Sequence, residues 1–202
     1  MATLRVDTVS GIGTEGTVLK GGLRFRSKNY LTLPKGDTTQ RGRGRGMVLG
    51  GIHPEVTRME TYSLISSSNG VEFGTLGSSN IAWGGAAGNS TRSLIGGGNG
   101  QINNIEFVTV AALGDAVDFG DLTVGRRHAG PAGNHTRGIW AGGETAGSNT
   151  ITNVMDYVTF ASTGDATDFG DQAVGSRGAG GCGSPTRAIW GGGQTGPAGV
   201  DV

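Results

Sequence analysis

The sequence predicts an all-β protein built from internal repeats, and three observations predict it. Glycine supplies 42 of the 202 residues, about three times its usual share. No stretch of helical length carries a 3.6-residue apolar period. Three sequence blocks recur in constant order at a spacing near 50 residues, which is the mark of a repeat architecture.

The first block is an arginine, a short apolar strand and a glycine pair. It occurs as Arg45 with Gly50 and Gly51, Arg92 with Gly96 and Gly97, Arg137 with Gly142 and Gly143, and Arg187 with Gly191 and Gly192. The arginines are 47, 45 and 50 residues apart. Glycine pairs permit positive φ and close approach of a neighbouring backbone. Trp140 and Trp190 stand just before the glycines, where their expected role is to fill the wedge between adjacent sheets. One fixed arginine per unit is expected to bridge units, through turn carbonyls or through the acid of the second block.

The second block is a six-residue strand with an acid in second place, at Met59–Leu64, Ile105–Val110 and Met155–Phe160. Its other positions are mostly apolar, β-branched or aromatic, as in a strand packed on both faces. The third block centres on Phe73, Phe119 and Phe169, each followed by glycine. Here a buried phenylalanine, a turn glycine and acids that satisfy turn amides are expected. Between the blocks lie Gly, Ser, Asn and Asp turns, so each unit reads as three or four short strands.

A boundary falls near residue 46. Residues 1–46 hold nine Lys/Arg and three Asp/Glu, a balance of +6; residues 47–202 hold seven and thirteen, a balance of −6. The two domains expected are a basic N-terminal segment, 1–46, and a Gly-rich repeat domain, 47–202. The segments Leu4–Val9, Leu23–Arg26 and Tyr30–Leu33 have strand character.

Chemical motifs are sparse. Asp118-Phe119-Gly120 and Asp168-Phe169-Gly170 spell a kinase metal-binding tripeptide, but the Gly-rich loop, strand lysine and catalytic loop of that chemistry are missing from the sequence. Asp115, Asp118 and Asp121, echoed by Asp165, Asp168 and Asp171, are oxygen-rich but lack EF-hand spacing; solvated turn carboxylates are expected rather than calcium. His53, His128 and His135 share no metal-ligand spacing. The lone Cys182 cannot form an intramolecular disulfide, and a small buried thiol is expected. Asn89-Ser90-Thr91 and Asn134-His135-Thr136 match glycosylation acceptors. The tract Arg41-Gly42-Arg43-Gly44-Arg45 resembles an Arg-Gly nucleic-acid tract, but it is short and runs into the first repeat strand. A basic hinge against an acidic protein neighbour is the expectation. No catalytic residue, metal or cofactor is expected, and the chain is read as a non-enzyme with no nucleic-acid partner. No apolar run is long enough to insert in a membrane.

With these blocks in place, the chain resembles a family. The Arg-x-x-x-Gly-Gly, Ile-Glu-Phe-Val-Thr and Asp-Phe-Gly-Asp-Leu blocks resemble the kelch-like repeats of virion structural proteins from tailed phages of marine bacteria, such as cyanophages. The opening Met1–Gly16 and the stretch Asn29–Gly44 resemble the N-terminal leader of such proteins. The resemblance implies propeller-type β-repeats of about three and a half units. It implies a tail-fibre or tailspike role in the virion, with assembly in the host cytoplasm and a homo-oligomer such as a trimer. Other tail or capsid proteins would be its partners, and a host-surface glycan or protein would meet the repeats. Arg5, Lys20, Arg24, Tyr30, Lys35, Arg41 and Arg43 are the expected attachment residues. A capsid-decoration or tail-body role is the alternative, and a glycan-cleaving spike enzyme the third reading. Four glycine strands stand beside only three copies of the other blocks. The expectation is a longer protein cut at this point. The alternative is completion of the last unit by N-terminal strands or a neighbouring chain, since a closed propeller needs four or more full units.

Overall fold

The computed structural model describes residues 45–52, 55–78, 81–146 and 150–196. The expected attachment residues Arg5, Lys20, Arg24, Tyr30, Lys35, Arg41 and Arg43, together with His53, lie outside them. Within the described residues the chain is all-β, without an α-helix. Unit 1 is the antiparallel sheet β1 (Arg45–Ile52), β2 (Glu55–Ser63) and β3 (Val71–Thr75). Unit 2 has four strands in meander order: β4 (Gly85–Gly88), β5 (Arg92–Gly96), β6 (Asn104–Thr109) and β7 (Val117–Asp121). After the short β8 (Arg126–Arg127), unit 3 repeats that order as β9 (Gly130–Gly133), β10 (Arg137–Ala141), β13 (Val154–Thr159) and β14 (Thr167–Asp171). The two-residue strands β11 (Glu144–Thr145) and β12 (Thr150–Ile151) pair with β8 in a small side sheet. Unit 4 is the hairpin β15 (Gly180–Gly183) and β16 (Ala188–Gly191). These sheets form a row, and the described residues show no closed propeller.

Hydrophobic layers lie between successive sheets, so each middle sheet is buried on both faces. Met59, Phe73 and Leu76 of unit 1 meet Ile95 and Val108 of unit 2. Ile105, Phe119 and Leu122 of unit 2 meet Trp140, Val158 and Phe160 of unit 3. Ile139, Ala141 and Met155 of unit 3 pack with Trp190 of unit 4. The two-residue period of the strand sorts side chains to the two faces. In β6, Ile105 faces forward to unit 3 while Val108 faces back to unit 1.

The third block owes its phenylalanine to a bulge repeated in all three units. In each, the ladder skips one residue next to the second-block acid: Met59 pairs with Gly74 and Glu60 with Glu72, so Phe73 is the extra residue. Phe119 and Phe169 are bulged in the same way. A bulge bends the strand and re-aims its side chain, here into the layer shared with the next unit. The glycine after it has a steric cause. A Cβ on Gly74 would lie 2.2 Å from Gly114 O, and one on Gly120 would lie 2.4 Å from Gly164 O. Those oxygens belong to the Gly-Asp loop of the following unit, which bonds along the bulged strand: Gly114 N to Phe73 O at 3.0 Å and Gly164 N to Phe119 O at 2.7 Å. Gly120→Ala is therefore expected to cost about 3 kcal/mol, from overpacking plus the φ of +143°. Urea denaturation checks this value.

Two expectations are corrected. Phe169 is 46% exposed, against 3% for Phe73 and 2% for Phe119. Cys182 is exposed, whereas Ala87 and Ala132 at its position in β4 and β9 are buried. The reason is the same for both. Burial in this fold is conferred by the next sheet in the row: unit 4 presents only two strands to Phe169, and no sheet follows unit 4 among the described residues to cover Cys182.

Candidate functional site

The repeated polar residues staple one unit to the next. The Arg45 guanidinium donates to Val110 O at 2.8 Å, and that of Arg92 to Phe160 O at 2.5 Å. Each arginine thus leaves its own unit for the carbonyl that ends the second-block strand of the following unit. Arg92 also lies over the Phe107 ring and Arg137 over the Tyr157 ring, at 4.8 and 4.5 Å. Arg187 is exposed. The second-block acids are not ion-paired to these arginines. They point backwards instead: Glu106 Oε2 accepts from Gly77 N at 2.8 Å, and Asp156 accepts from Thr123 N at 3.1 Å and Thr123 Oγ1 at 2.6 Å. In unit 1, Glu60 accepts from Tyr62 Oη at 2.5 Å, which holds the phenol above its ordinary pKa.

The aspartates after the loop glycines have the same local purpose. Asp115 Oδ1 accepts from Thr75 N and Thr75 Oγ1 at 2.9 and 3.0 Å, and Asp165 Oδ1 accepts from Asp121 N at 3.1 Å. The backbone bond from Thr75 is the main cause of the lowered Asp115 pKa. Among the described residues no group of three or more His, Cys, Asp or Glu side chains could hold a metal ion. Asn89 and Asn134, of the two glycosylation-like triplets, are used in full as turn caps. Asn89 Oδ1 accepts three bonds from Thr91 and Arg92 while its Nδ2 donates to His135 O at 2.8 Å. Asn134 does the same, with Nδ2 donating to Pro185 O at 3.0 Å. These amides clip the turns of adjacent units together.

The glycine pairs and tryptophans complete the staples. Gly50, Gly97, Gly142 and Gly192, at matching positions, all hold φ between 64 and 71°, the left-handed region that favours glycine. A Cβ at Gly97 or Gly142 would strike the backbone oxygen of Arg126 or Ser176, at 2.3 and 2.1 Å. Gly96 leaves room for the indole: a Cβ there would lie 3.1 Å from the Trp140 ring. Trp140, fully buried, reaches back to donate to Gly85 O at 2.6 Å, and Trp190 donates to Gly130 O at 3.0 Å. Gly51 lies within β1, Gly143 joins β10 to β11, and Gly191 ends β16.

The unusual chemistry sits where each unit hands over to the next, at residues that do not repeat. Trp83, His128 and Gly178 occupy one position in successive units, with φ of 67, 56 and 68°. His128 N donates to Trp83 O at 2.9 Å and Gly178 N to His128 O at 2.8 Å, so the three backbones are linked in series. Left-handed backbone at a tryptophan or histidine costs free energy and is held only by surrounding structure. Here the Trp83 and His128 rings lie 4.9 Å apart and the Arg127 guanidinium lies 4.8 Å over Trp83. Beside them the fully buried Glu144 carboxylate meets Arg127 Nε at 2.8 Å, the Arg177 guanidinium and His128 Nδ1 at 3.5 Å. Arg177 in turn donates from Nε to Gln194 Oε1 at 3.0 Å. Burial and the two neighbouring arginines depress the His128 pKa, so the cluster is one carboxylate neutralised by guanidinium groups with a neutral imidazole at its edge.

Arg126 and Asp156 form a second, enclosed pair at 2.8 Å, with both side chains at 0% exposure. Arg126 Nη2 also donates to Trp140 O at 3.2 Å, while its Nε and Nη1 have no partner among the described residues. Burial pulls the guanidinium pKa down and Asp156 opposes that pull. None of Trp83, Arg126, Arg127, Glu144 or Arg177 was singled out by the sequence reading. The available signal was the mismatch at two aligned positions: Ile81, Arg126 and Ser176 at one, and Trp83, His128 and Gly178 at the other.

A pH effect follows from His128. Its folded pKa lies below the ordinary value near 6.5, so the folded state resists the proton that the unfolded chain accepts. The stability that depends on neutral His128 is present above that ordinary value and is lost as pH falls through the lowered folded pKa. Melting curves between pH 7.5 and 5 are expected to show a falling midpoint, with a shallower fall in His128→Gly, the residue found at Gly178.

Compared with known proteins, the chain matches no family model and no curated sequence.

Proposed function

We propose that this chain is a structural component of a tailed-phage virion, of the tail-fibre or tailspike kind. In this reading the N-terminal segment attaches it to the particle and the repeats meet the host surface. The observation that carries the reading is the way the units are joined. A row of small antiparallel sheets is fastened by repeated backbone, arginine, asparagine and aspartate bonds between neighbours. Such repeated fastening suits a scaffold that must hold its shape on a particle. The Gly-, Asn-, Ser- and Asp-rich turns supply polar contacts of the sort that suit glycans or protein loops. The leader-like residues Met1–Gly16 and Asn29–Gly44 favour a particle-bound protein. The basic balance of residues 1–46 favours docking on an acidic neighbour through Arg5, Lys20, Arg24, Lys35, Arg41 and Arg43.

Immunogold imaging of purified particles with an antibody to the repeat domain tests this. Label at the distal tail and antibody block of host adsorption are the expected results. Label spread over the capsid without any effect on adsorption would favour the decoration role, and particles lacking the protein would end the proposal. Release of sugars from purified host glycan would replace it with the glycan-cleaving reading.

A further inference from the structure

Two exposed rings in the row stand on backbone that favours glycine. Trp83 and His128 hold φ of 67 and 56° at the position where unit 4 has Gly178 at 68°. Glycine takes that conformation without steric cost, so the rings are not there for the sake of the turn. Nor are they there for the core: Trp83 is 38% exposed and the His128 side chain 32%. Strain kept for exposed side chains, at positions that break a repeat, points to function.

The surroundings of the rings specify a ligand class. The Trp83 and His128 rings lie 4.9 Å apart, and the backbone bond that joins His128 to Trp83 is repeated between Gly178 and His128. A third ring at residue 178 would continue the stack, but glycine supplies none, and its Cβ position is open among the described residues. The notch left there is bordered by the partly exposed Arg177 and by Gln194, whose Oε1 accepts from Arg177 Nε at 3.0 Å. Arg127 and Arg177 share one carboxylate, that of buried Glu144, and His128 is neutral. Two guanidinium groups against one carboxylate leave a single positive charge uncompensated in the cluster. We infer that the notch at Gly178 binds one acidic sugar residue, its pyranose ring stacked on the His128 imidazole in place of the missing third ring and its carboxylate on the Arg177 guanidinium. A flat ring face suits the C–H side of a sugar, and the guanidinium fork matches a carboxylate. With its Oε1 taken by Arg177, the Gln194 amide has its Nε2 to donate to a hydroxyl.

Among the described residues the arginine and the empty ring position coincide once. Ala82 stands where Arg127 and Arg177 stand, and His128 fills with its own ring the position that Gly178 leaves open, so one site per chain is expected. A nucleic-acid strand also stacks on rings and pairs with arginine, but it carries a charge at every phosphate. This cluster has one positive charge to set against it, and residues 47–202 have a balance of −6. A glycan with an occasional carboxylate among neutral sugars fits that balance. The choice of a sugar rests on the host-glycan contact proposed above, while the site itself rests on the rings, the open position and the charge.

The test is a titration of the isotope-labelled full chain, followed by NMR, with the methyl glycosides of glucuronate, galacturonate and mannuronate, and with methyl glucoside as the neutral control. At least one uronide is expected to shift the Gly178 amide and the Trp83 indole signal saturably, at one site per chain. The neutral glycoside is expected to bind about tenfold more weakly, for want of one charged hydrogen-bonded contact. Gly178→His fills the notch with the residue that unit 3 carries on the same backbone, and histidine is among the residues that tolerate it best. It is expected to abolish the shifts while the chain still melts as a folded protein. Arg177→Gln reads the carboxylate without filling the notch: the uronide is expected to fall to the affinity of the neutral glycoside, which stays as in the parent chain. No saturable shift from any of the three uronides, equal binding of the neutral glycoside, or undiminished binding in Gly178→His overturns the site. A short oligothymidylate that outcompetes the uronides at the same signals would assign the notch to nucleic acid instead. Because the titration uses purified protein, it is separate from the particle imaging. Label away from the tail with uronide binding intact removes the fibre role and keeps the site, and distal label without uronide binding does the reverse.

Discussion

Asp156→Ala is expected to remove about 3–5 kcal/mol of folding stability, the cost of leaving one member of a buried ion pair uncompensated. Asp156 is fully buried, pairs with Arg126 at 2.8 Å, and accepts both the amide and the hydroxyl of Thr123. Alanine leaves the Arg126 guanidinium enclosed without its carboxylate and frees the turn that ends unit 2. The double variant Arg126→Ile with Asp156→Asn is expected to recover most of the loss. Isoleucine is the residue at the matching position of unit 2, Ile81, and asparagine still accepts from Thr123. Chemical denaturation of Arg126→Ile, Asp156→Asn and the double, read as a cycle, isolates the coupling between the charges. If the double is as unstable as Asp156→Ala, the uncompensated charge of Arg126 is not the source of the loss.

Trp140→Ala is expected to cost a similar 3–5 kcal/mol, the range for truncating a large buried aromatic. The indole is fully buried between units 2 and 3, touches the Gly85 and Gly96 positions, and donates to Gly85 O at 2.6 Å. Its loss opens a cavity and strips a donor from a buried carbonyl. Trp190→Ala should cost less, because Trp190 is only partly buried. Thermal unfolding of both variants gives the comparison, and equal losses would mean that unit 4 is as enclosed as unit 3. Trp140→Phe should fall in between, since it keeps much of the volume but not the donor.

The repeated blocks were legible because each is held to its residue type by the neighbouring unit. A Cβ at Gly74 or Gly120 would enter a loop backbone. An arginine at the start of the apolar strand meets a carbonyl one unit away. Such contacts recur with the fold, so the residues recur with the period. The direction of the contacts was not legible. The second-block acids were candidates for the arginines, yet they bind turn amides of the preceding unit, while the arginines reach forward. Which face of a strand a side chain takes depends on a bulge, and nothing in a list of residues shows where the ladder slips.

The all-β class, the unit length and the positions of the staples were thus determined by the sequence alone, because they rest on local period, on turn chemistry and on contacts repeated between near-identical neighbours. The tertiary structure alone decided which copies of a repeated residue are buried. Phe73, Phe119 and Phe169 are equivalent in sequence, but burial belongs to the sheet stacked in front of them. It alone also assembled the cluster of Trp83, Arg127, His128, Glu144 and Arg177, whose members come from different units and break the repeat. An ion pair between units leaves no period in the sequence, because its two charges are tens of residues apart and meet only once.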